Sequence, residues 1–343
     1  MKTFNTFLIG DIHATQESLS DCEALIDFVR LKSNEKKCKN LIFLGDLFHT
    51  HSVINSSVLS FWKETFDLLL SQDFTTYVLI GNHDRAAAGN DGPVHSLRAF
   101  ENYHKNLIIV NKPIVIDNNI FAIPHYYNAD TFLTAISNIH DPSTIFSHET
   151  FDGAVFENGF YAKDGINVSS SPHKFISGHI HTKCKFDNVI YIGAPRWLTA
   201  NDANQSKSIA YAEINGPNLV VYEEFDTAPI VTPIYAFDDL PELPAIEQKT
   251  NLVNTKCKII INIRGPENFI NKRLNYYNKL RELAKATFSI RTFPIKETIT
   301  EVKESEGIHK AFQQYFQSFT PKFNSDKVKL FKLIEERADF LLK

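Results

Sequence analysis

Residues 4–13 read Phe4-Asn5-Thr6-Phe7-Leu8-Ile9-Gly10-Asp11-Ile12-His13, an apolar run closed by a glycine, a carboxylate and an imidazole. Phe4–Gly10 has the length and character of a buried strand, and the glycine lets the backbone turn sharply where it ends. The pattern recurs down the chain. Leu41–Leu44 leads into Gly45-Asp46-Leu47-Phe48-His49, and Thr76–Ile80 into Gly81-Asn82-His83-Asp84. Later, Thr144–Phe146 leads into Ser147-His148-Glu149, and Lys174–Ile176 into Ser177-Gly178-His179-Ile180-His181. One Gly-Asp turn after a strand is ordinary; five such endings are not explained by turn chemistry. In open α/β sheets the ligand crevice lies at the carboxyl ends of the strands, so these side chains are expected to converge.

Between the first three strands, Leu19–Lys32 and Val53–Leu70 carry apolar residues at helical spacing, among them Leu25, Ile26 and Val29. A β-α-β-α-β order favours a parallel sheet with right-handed crossovers. From Leu107 onward strands dominate: 107–110, 114–116, 120–123, 144–146, 174–176, 189–192, 208–214 and 219–225. The expected architecture is α/β, two mixed sheets packed face to face with helices outside, a four-layer sandwich over residues 1–228.

Asp, Asn and His donors without thiolates suit Mn²⁺, Fe or Zn²⁺. Eight potential ligand positions are too many for one ion but suit two that share a carboxylate, held roughly 3.5–4 Å apart as in hydrolysis at phosphorus. Asp46, alone in its motif, is the natural bridge. His83, beside Asn82, is placed to protonate a leaving oxygen, and Asp84 is expected to orient His83 as carboxylates near metal sites do.

The 343 residues are 43% hydrophobic, with 13 Gly and 14 Pro, which excludes disorder and collagen-like sequence. No apolar run approaches the ~20 residues of a membrane span, and the start is too short and polar for a secretion signal. Four scattered cysteines, with no Cys-x-x-Cys pair, indicate neither a disulfide framework nor a thiolate zinc site, and a cytoplasmic setting is expected. The net charge of −4 is an average of unlike parts. Residues 1–250 carry 18 Lys and Arg against 30 Asp and Glu, a net of −12, and residues 251–343 carry 18 against 10, a net of +8. A surface of one sign confined to one segment points to a polyanionic partner.

Residues 229–250 hold four prolines with little periodicity and read as a linker. Beyond it, 256–264, 267–285 and 288–293 read as strand, helix and strand, a small basic domain over residues 251–297. Its Lys272, Arg273, Lys279, Arg281 and Lys285 are candidate contacts to a nucleic-acid backbone. Residues 298–343 read as two helices. Phe312, Tyr315, Phe316 and Phe319 line one and Phe331 and Ile334 the other, and such faces either pack on their own domain or dock onto a partner. His51, His95, His104, His125, His140, His173 and His309 fall outside the motifs and read as surface or structural residues, and Trp62 and Trp197 as core. Arg85, just past the third motif, is read either as a phosphate contact or as the partner of a surface carboxylate.

The ordered motifs Asp11-x-His13, Gly45-Asp46, Gly81-Asn82-His83-Asp84, His148 and Gly178-His179-x-His181 resemble the calcineurin-like metallophosphoesterase superfamily. Gly45–His49, Gly81–Asp84, Gly178–His181 and Tyr191–Pro195 most resemble its SbcD-type nuclease subunits, in a compact, bacteriophage-like form. The resemblance implies two divalent cations, Mn²⁺ foremost and Mg²⁺ second. Asp11, His13, Asp46 and His181 would hold one and Asp46, Asn82, His148 and His179 the other. It makes His83 the catalytic histidine and gives His49 a part in orienting DNA. It also implies a capping domain over residues 251–297 and a helix pair gripping an SbcC-like ATPase subunit. The expected activity is double-strand exonuclease and single-strand endonuclease action on DNA ends in recombination, repair and replication, by a homodimer within a heterotetramer. The chain has no Gly-x4-Gly-Lys-[Ser/Thr] of its own, so ATP dependence would come from that partner. A small-molecule phosphodiesterase or nucleotidase, or a non-catalytic scaffold tethering an ATPase to DNA ends, are the alternatives.

Overall fold

The structure, a computed structural model, describes residues 3–89, 91–238, 257–283 and 287–294. Strands β1 (Phe4–Ile9), β2 (Asn40–Phe43), β3 (Thr75–Leu79) and β4 (Leu107–Val110) run parallel in one six-stranded sheet. β11 (Ser208–Asn215) pairs antiparallel with β1, and β12 (Asn218–Asp226) closes that edge. The second sheet takes β5 (Ile114–Asp117), β6 (Ile120–Ala122), β7 (Thr144–Ser147), β8 (Lys174–Ser177), β9 (Cys184–Phe186) and β10 (Val189–Tyr191), in the order β5-β6-β7-β8-β10-β9. Its inner strands are parallel and its edges antiparallel.

The period-2 alternation of the strands divides the core. Leu8, Ile42, Leu44 and Leu79 of the first sheet meet Ala122, Phe146, Ile176 and Ile190 of the second between the layers. Their neighbours Phe7, Ile9, Leu41, Phe43 and Val78 face the other way, onto α1 (Leu19–Glu35) and α2 (Ser56–Ser71). These helices present Cys22, Leu25, Ile26 and Val29, and Val58, Phe61, Trp62, Phe66 and Leu69. On the far side, α3 (Ala129–Ser137) lays Phe132 and Ile136 against Ile145, Phe175 and Val189. The four-layer α/β sandwich is therefore as expected. Strands are buried on both faces because both faces are covered, which is why they read as continuous apolar runs.

Among the described residues, one α-helix and two strands were not expected: α3, β9 and β13 (Ile234–Asp238). β13 lies inside the Pro-rich stretch read as a linker and pairs in parallel with β14 (Lys258–Gly265). With β15 (Thr287–Pro294) they make a three-stranded sheet, to which α4 (Glu267–Leu283) contributes Ile270 and Tyr277 as core. Ile234 and Val231 pack with Trp197 and Ile260, so residues 229–238 of that stretch are packed rather than free, and residues 239–250 lie outside the described residues. The two-helix reading of residues 298–343, with Phe312, Tyr315, Phe316, Phe319, Phe331 and Ile334, lies outside the described residues, as does Lys285. No helix among the described residues is long and apolar enough to cross a membrane.

Candidate active site

The five strand endings meet along one edge of the sandwich. β1, β2 and β3 deliver Asp11 and His13, Asp46 and His49, and Asn82, His83 and Asp84 from one sheet. β7 and β8 deliver His148 and, just beyond, His179 and His181 from the other. Two groups of potential ligand atoms lie within 4.8 Å of one another, Asp11 with His13 and His181, and Asp46 with His148 and His179. Asp46 stands between them: its Oδ2 is 3.3 Å from His13 Nε2 and 3.3 Å from His148 Nε2. Asn82 Oδ1 lies 3.0 Å from His148 Nε2 and 2.7 Å from His179 Nδ1. All seven metal-ligand candidates are brought together.

Local backbone geometry makes this convergence possible. His13, Asp46 and His179 have φ of 49°, 53° and 79°, a region uncommon for side-chain-bearing residues and concentrated at functional sites. Crowding explains the glycines. A Cβ on Gly45, itself at φ 107°, would sit 2.4 Å from His148 Nδ1, and one on Gly81 would sit 2.2 Å from Asp46 Oδ1. Arg196 donates to the carbonyls of Ile12 (2.7 Å) and His13, clamping the first loop from behind.

Burial and mutual charge set the protonation states. Burial pushes His13 and His179 well below the usual imidazole range, leaving lone pairs free for a cation. Burial also opposes a charge on His148, yet Asp46 and Asp11 beside it raise it to about 10. For Asp46, burial is outweighed by His148 and His13, and its carboxyl is held well below the usual range. Asp11 is raised, by burial first. Asp11 Oδ2 and both ring nitrogens of His13 are buried without a hydrogen-bond partner. Unpaired buried polar atoms are costly, and a shared carboxylate ringed by imidazoles fits divalent cations, which would satisfy them.

Asp84 plays a different part from the one its position suggested. Its carboxylate accepts from the backbone N–H of Asp46 (2.8 Å), Phe48 (3.1 Å) and Gly81 (3.0 Å), tying the β2 and β3 loops together. His83 is oriented instead by the carbonyl of His49, which accepts from its Nδ1 at 2.7 Å. A carbonyl can only accept, so this bond keeps the proton on Nδ1. The His49 ring is exposed and stacks on His83 at 5.8 Å.

Several contributors escaped the motif reading. His51 stacks on His83, with ring centroids 4.5 Å apart. His125 is buried, lies parallel to His179 at 5.8 Å, and pairs through Nδ1 with the His148 carbonyl (2.9 Å) and Glu149 (3.2 Å). Arg85, read from the sequence as a phosphate contact or the partner of a surface carboxylate, takes the second part: it is buried, holds the His125 carbonyl and pairs with exposed Asp91 at 3.7 Å, bracing the site from within. Glu157 faces His181 Nδ1 at 3.4 Å and accepts from its backbone N–H. Such groups fix ligand rings in place; none follows a strand in a Gly-Asp or Gly-His motif, so spacing gave no sign of them. Of the basic residues assigned to DNA, Lys272 and Arg281 are exposed on α4, and Arg273 lies over the Phe269 ring.

The family model for calcineurin-like phosphoesterases matches residues 4–221. The chain is also similar to a protein named Exonuclease subunit 1 from Enterobacteria phage T4, 28% identical over 173 residues, which is 48% of this chain and 49% of that one. The match thus spans about half the length of the curated relative.

Proposed function

We propose that this chain, which belongs to the calcineurin-like phosphoesterase family, is a metal-dependent nuclease subunit that hydrolyses phosphodiester bonds at DNA ends. The observation that carries the reading is Asp46 shared between two ligand groups drawn from both sheets. Similarity to Exonuclease subunit 1 and the basic character of residues 251–296 support DNA as the substrate.

In this reading Asp11, His13, Asp46 and His181 hold one divalent cation and Asp46, Asn82, His148 and His179 the other, with Mn²⁺ foremost. Cations bound there supply Lewis acidity at phosphorus and a lowered pKa for the attacking water. The protein's own residues do the rest. Asp84 fixes the two loops that carry Asp46 and Asn82. His83, its ring set by the His49 carbonyl, protonates the leaving oxygen in its cationic form. Exposed His49 meets the strand beside it. Lys272 and Arg281 contact the duplex backbone, and Arg273, Lys279 and Lys285 are the further candidate contacts of the same basic segment, with Lys285 and the Lys279 side chain outside the described residues. The terminal segment, through Phe312, Tyr315, Phe316, Phe319, Phe331 and Ile334, docks an SbcC-like ATPase, and the assembly contains two copies of the chain.

The test is cleavage of linear double-stranded, hairpin and single-stranded DNA in Mn²⁺ or Mg²⁺, with and without that ATPase. Expected is Mn²⁺-dependent degradation that His83→Ala or Asp46→Ala reduces by at least ~100-fold while the fold is kept. Full activity in either purified variant overturns the reading. Hydrolysis of bis-p-nitrophenyl phosphate with no DNA cleavage under any condition assigns the site to small phosphodiesters instead.

A further inference from the structure

A third group of donors lies in the same cleft. One ring nitrogen each from His13, His49 and His83 falls within 4.8 Å of the others. The rings of His13 and His83 stand edge-on at 4.6 Å, and those of His13 and His49 at 5.4 Å. No carboxylate belongs to this group. The three come from the ends of β1, β2 and β3, all in one sheet, whereas the two mixed groups each combine both sheets.

Donor chemistry separates the seats. Carboxylate-containing sites suit Mn²⁺ and Mg²⁺, while imidazole alone suits Zn²⁺, Cu²⁺ and Ni²⁺. Three histidines with an open fourth position is a stable arrangement for Zn²⁺, with Zn–N distances of about 2.0–2.1 Å and hence nitrogens about 3.4 Å apart. The exposed His49 ring is the one free to close the remaining gap. His13 also belongs to the Asp11–His13–His181 group. A neutral imidazole carries one lone-pair nitrogen, the other bearing its N–H, so His13 serves one ion at a time.

We propose that His13, His49 and His83 form an alternative, all-imidazole seat for Zn²⁺ that competes with the Asp11–His13–His181 position and shuts the enzyme off. An ion there withdraws His13 from the productive pair and occupies His83, the proton donor of the proposed reaction. The inference rests on that reading for its inhibitory consequence, but the seat itself is a matter of metal binding.

The experiment uses the full chain, loaded with Mn²⁺ and titrated with Zn²⁺, with released Mn²⁺ counted by its EPR signal and no DNA present. Expected is release of one Mn²⁺ per chain. His49→Ala should weaken Zn²⁺ binding at least tenfold, and Asp11→Asn should leave it unweakened. His49→Phe, which keeps a ring stacked on His83 and removes the nitrogens, repeats the test should the alanine variant fold poorly. Equal Zn²⁺ affinity in the wild type and in either His49 variant overturns the proposal, as does loss of Zn²⁺ affinity in Asp11→Asn alone, since Zn²⁺ would then sit in the carboxylate seat. In parallel, micromolar Zn²⁺ should stop DNA cleavage in excess Mn²⁺, reversibly on chelation. A chain inactive on DNA but binding Zn²⁺ through His49 fails the functional reading alone. An active chain without His49-dependent Zn²⁺ binding fails the seat alone.

Discussion

Asp84 is the residue whose role changes most between one dimension and three. Adjacent to His83 in sequence, it turns away to hold three backbone N–H groups of the β2 and β3 loops. Burial first, and then the charge of Asp46, raise its pKa from the ordinary 3.8 to about 7. The sign follows directly. Between those values the unfolded chain has lost the proton and the folded chain has kept it, so stability falls as pH rises, by at most about 1.4 kcal/mol per pH unit. Asp84→Asn mimics the protonated form and removes this contribution. In urea melts of the metal-free chain from pH 4 to 7, the variant should therefore gain on the wild type as pH rises; a constant difference would refute the assignment. His51 and His125 teach the same lesson about legibility. Motif order gave every ligand candidate, because each sits at a fixed offset from an apolar strand. Residues that brace those ligands arrive from loops with no such register, so only the folded chain reveals them.

At the level of elements, the loops after the strands carry the tightest constraints. Gly45→Ala places a methyl 2.4 Å from the His148 ring at a φ that alanine resists, whereas Gly89, at φ 75°, has nothing within 4 Å of its Cβ position. Gly89→Ala should cost about 1 kcal/mol from backbone strain alone. Gly45→Ala should cost at least twice that and weaken Mn²⁺ binding, as read by thermal melts and metal titration. Equal costs would show that the β2 loop relaxes freely. On α4, Lys272→Glu with Arg281→Glu should weaken DNA binding uniformly across sequences and reduce the salt slope by about two ion equivalents; an unchanged slope removes α4 from the interface. Apart from β9, a three-residue edge strand with no buried residue, the strands of the sandwich were legible to within a residue or two because a fully covered sheet demands unbroken apolar runs. β13 was not, since its neighbours are prolines and its partner β14 lies some twenty residues away in sequence. α3 was missed because only Phe132 and Ile136 of its nine residues are buried, too few to impose a period.

For the molecule as a whole, the site is a seam. Asp11, Asp46 and Asn82 belong to one sheet and His148, His179 and His181 to the other, and the layer between the sheets is apolar. Cations held by both sides would therefore tie the sheets together at the strand ends, where the chain alone leaves Asp11 Oδ2 and the His13 nitrogens without a hydrogen-bond partner. Binding must also expel protons. His148, raised to about 10 by Asp46 and Asp11 against the effect of burial, is cationic at pH 8 in the metal-free chain and must be neutral to act as a ligand. Mn²⁺ binding at pH 8 should thus release close to one proton per chain from this group, measured by calorimetry in two buffers of different ionisation enthalpy. Affinity should rise with pH until His148 no longer holds its proton. Stability follows by mass action: Mn²⁺ at about 100 times its Kd adds about 2.7 kcal/mol per site. At about 2–4 °C per kcal/mol for a domain of this size, that raises Tm by roughly 5–10 °C for one site. Chelation should reverse the rise, and His148→Ala should abolish the proton release together with part of the stabilisation. A Tm that ignores both Mn²⁺ and chelator would mean that the two sheets are held by their apolar layer alone and that the convergent ligands do not bind a cation in the folded chain.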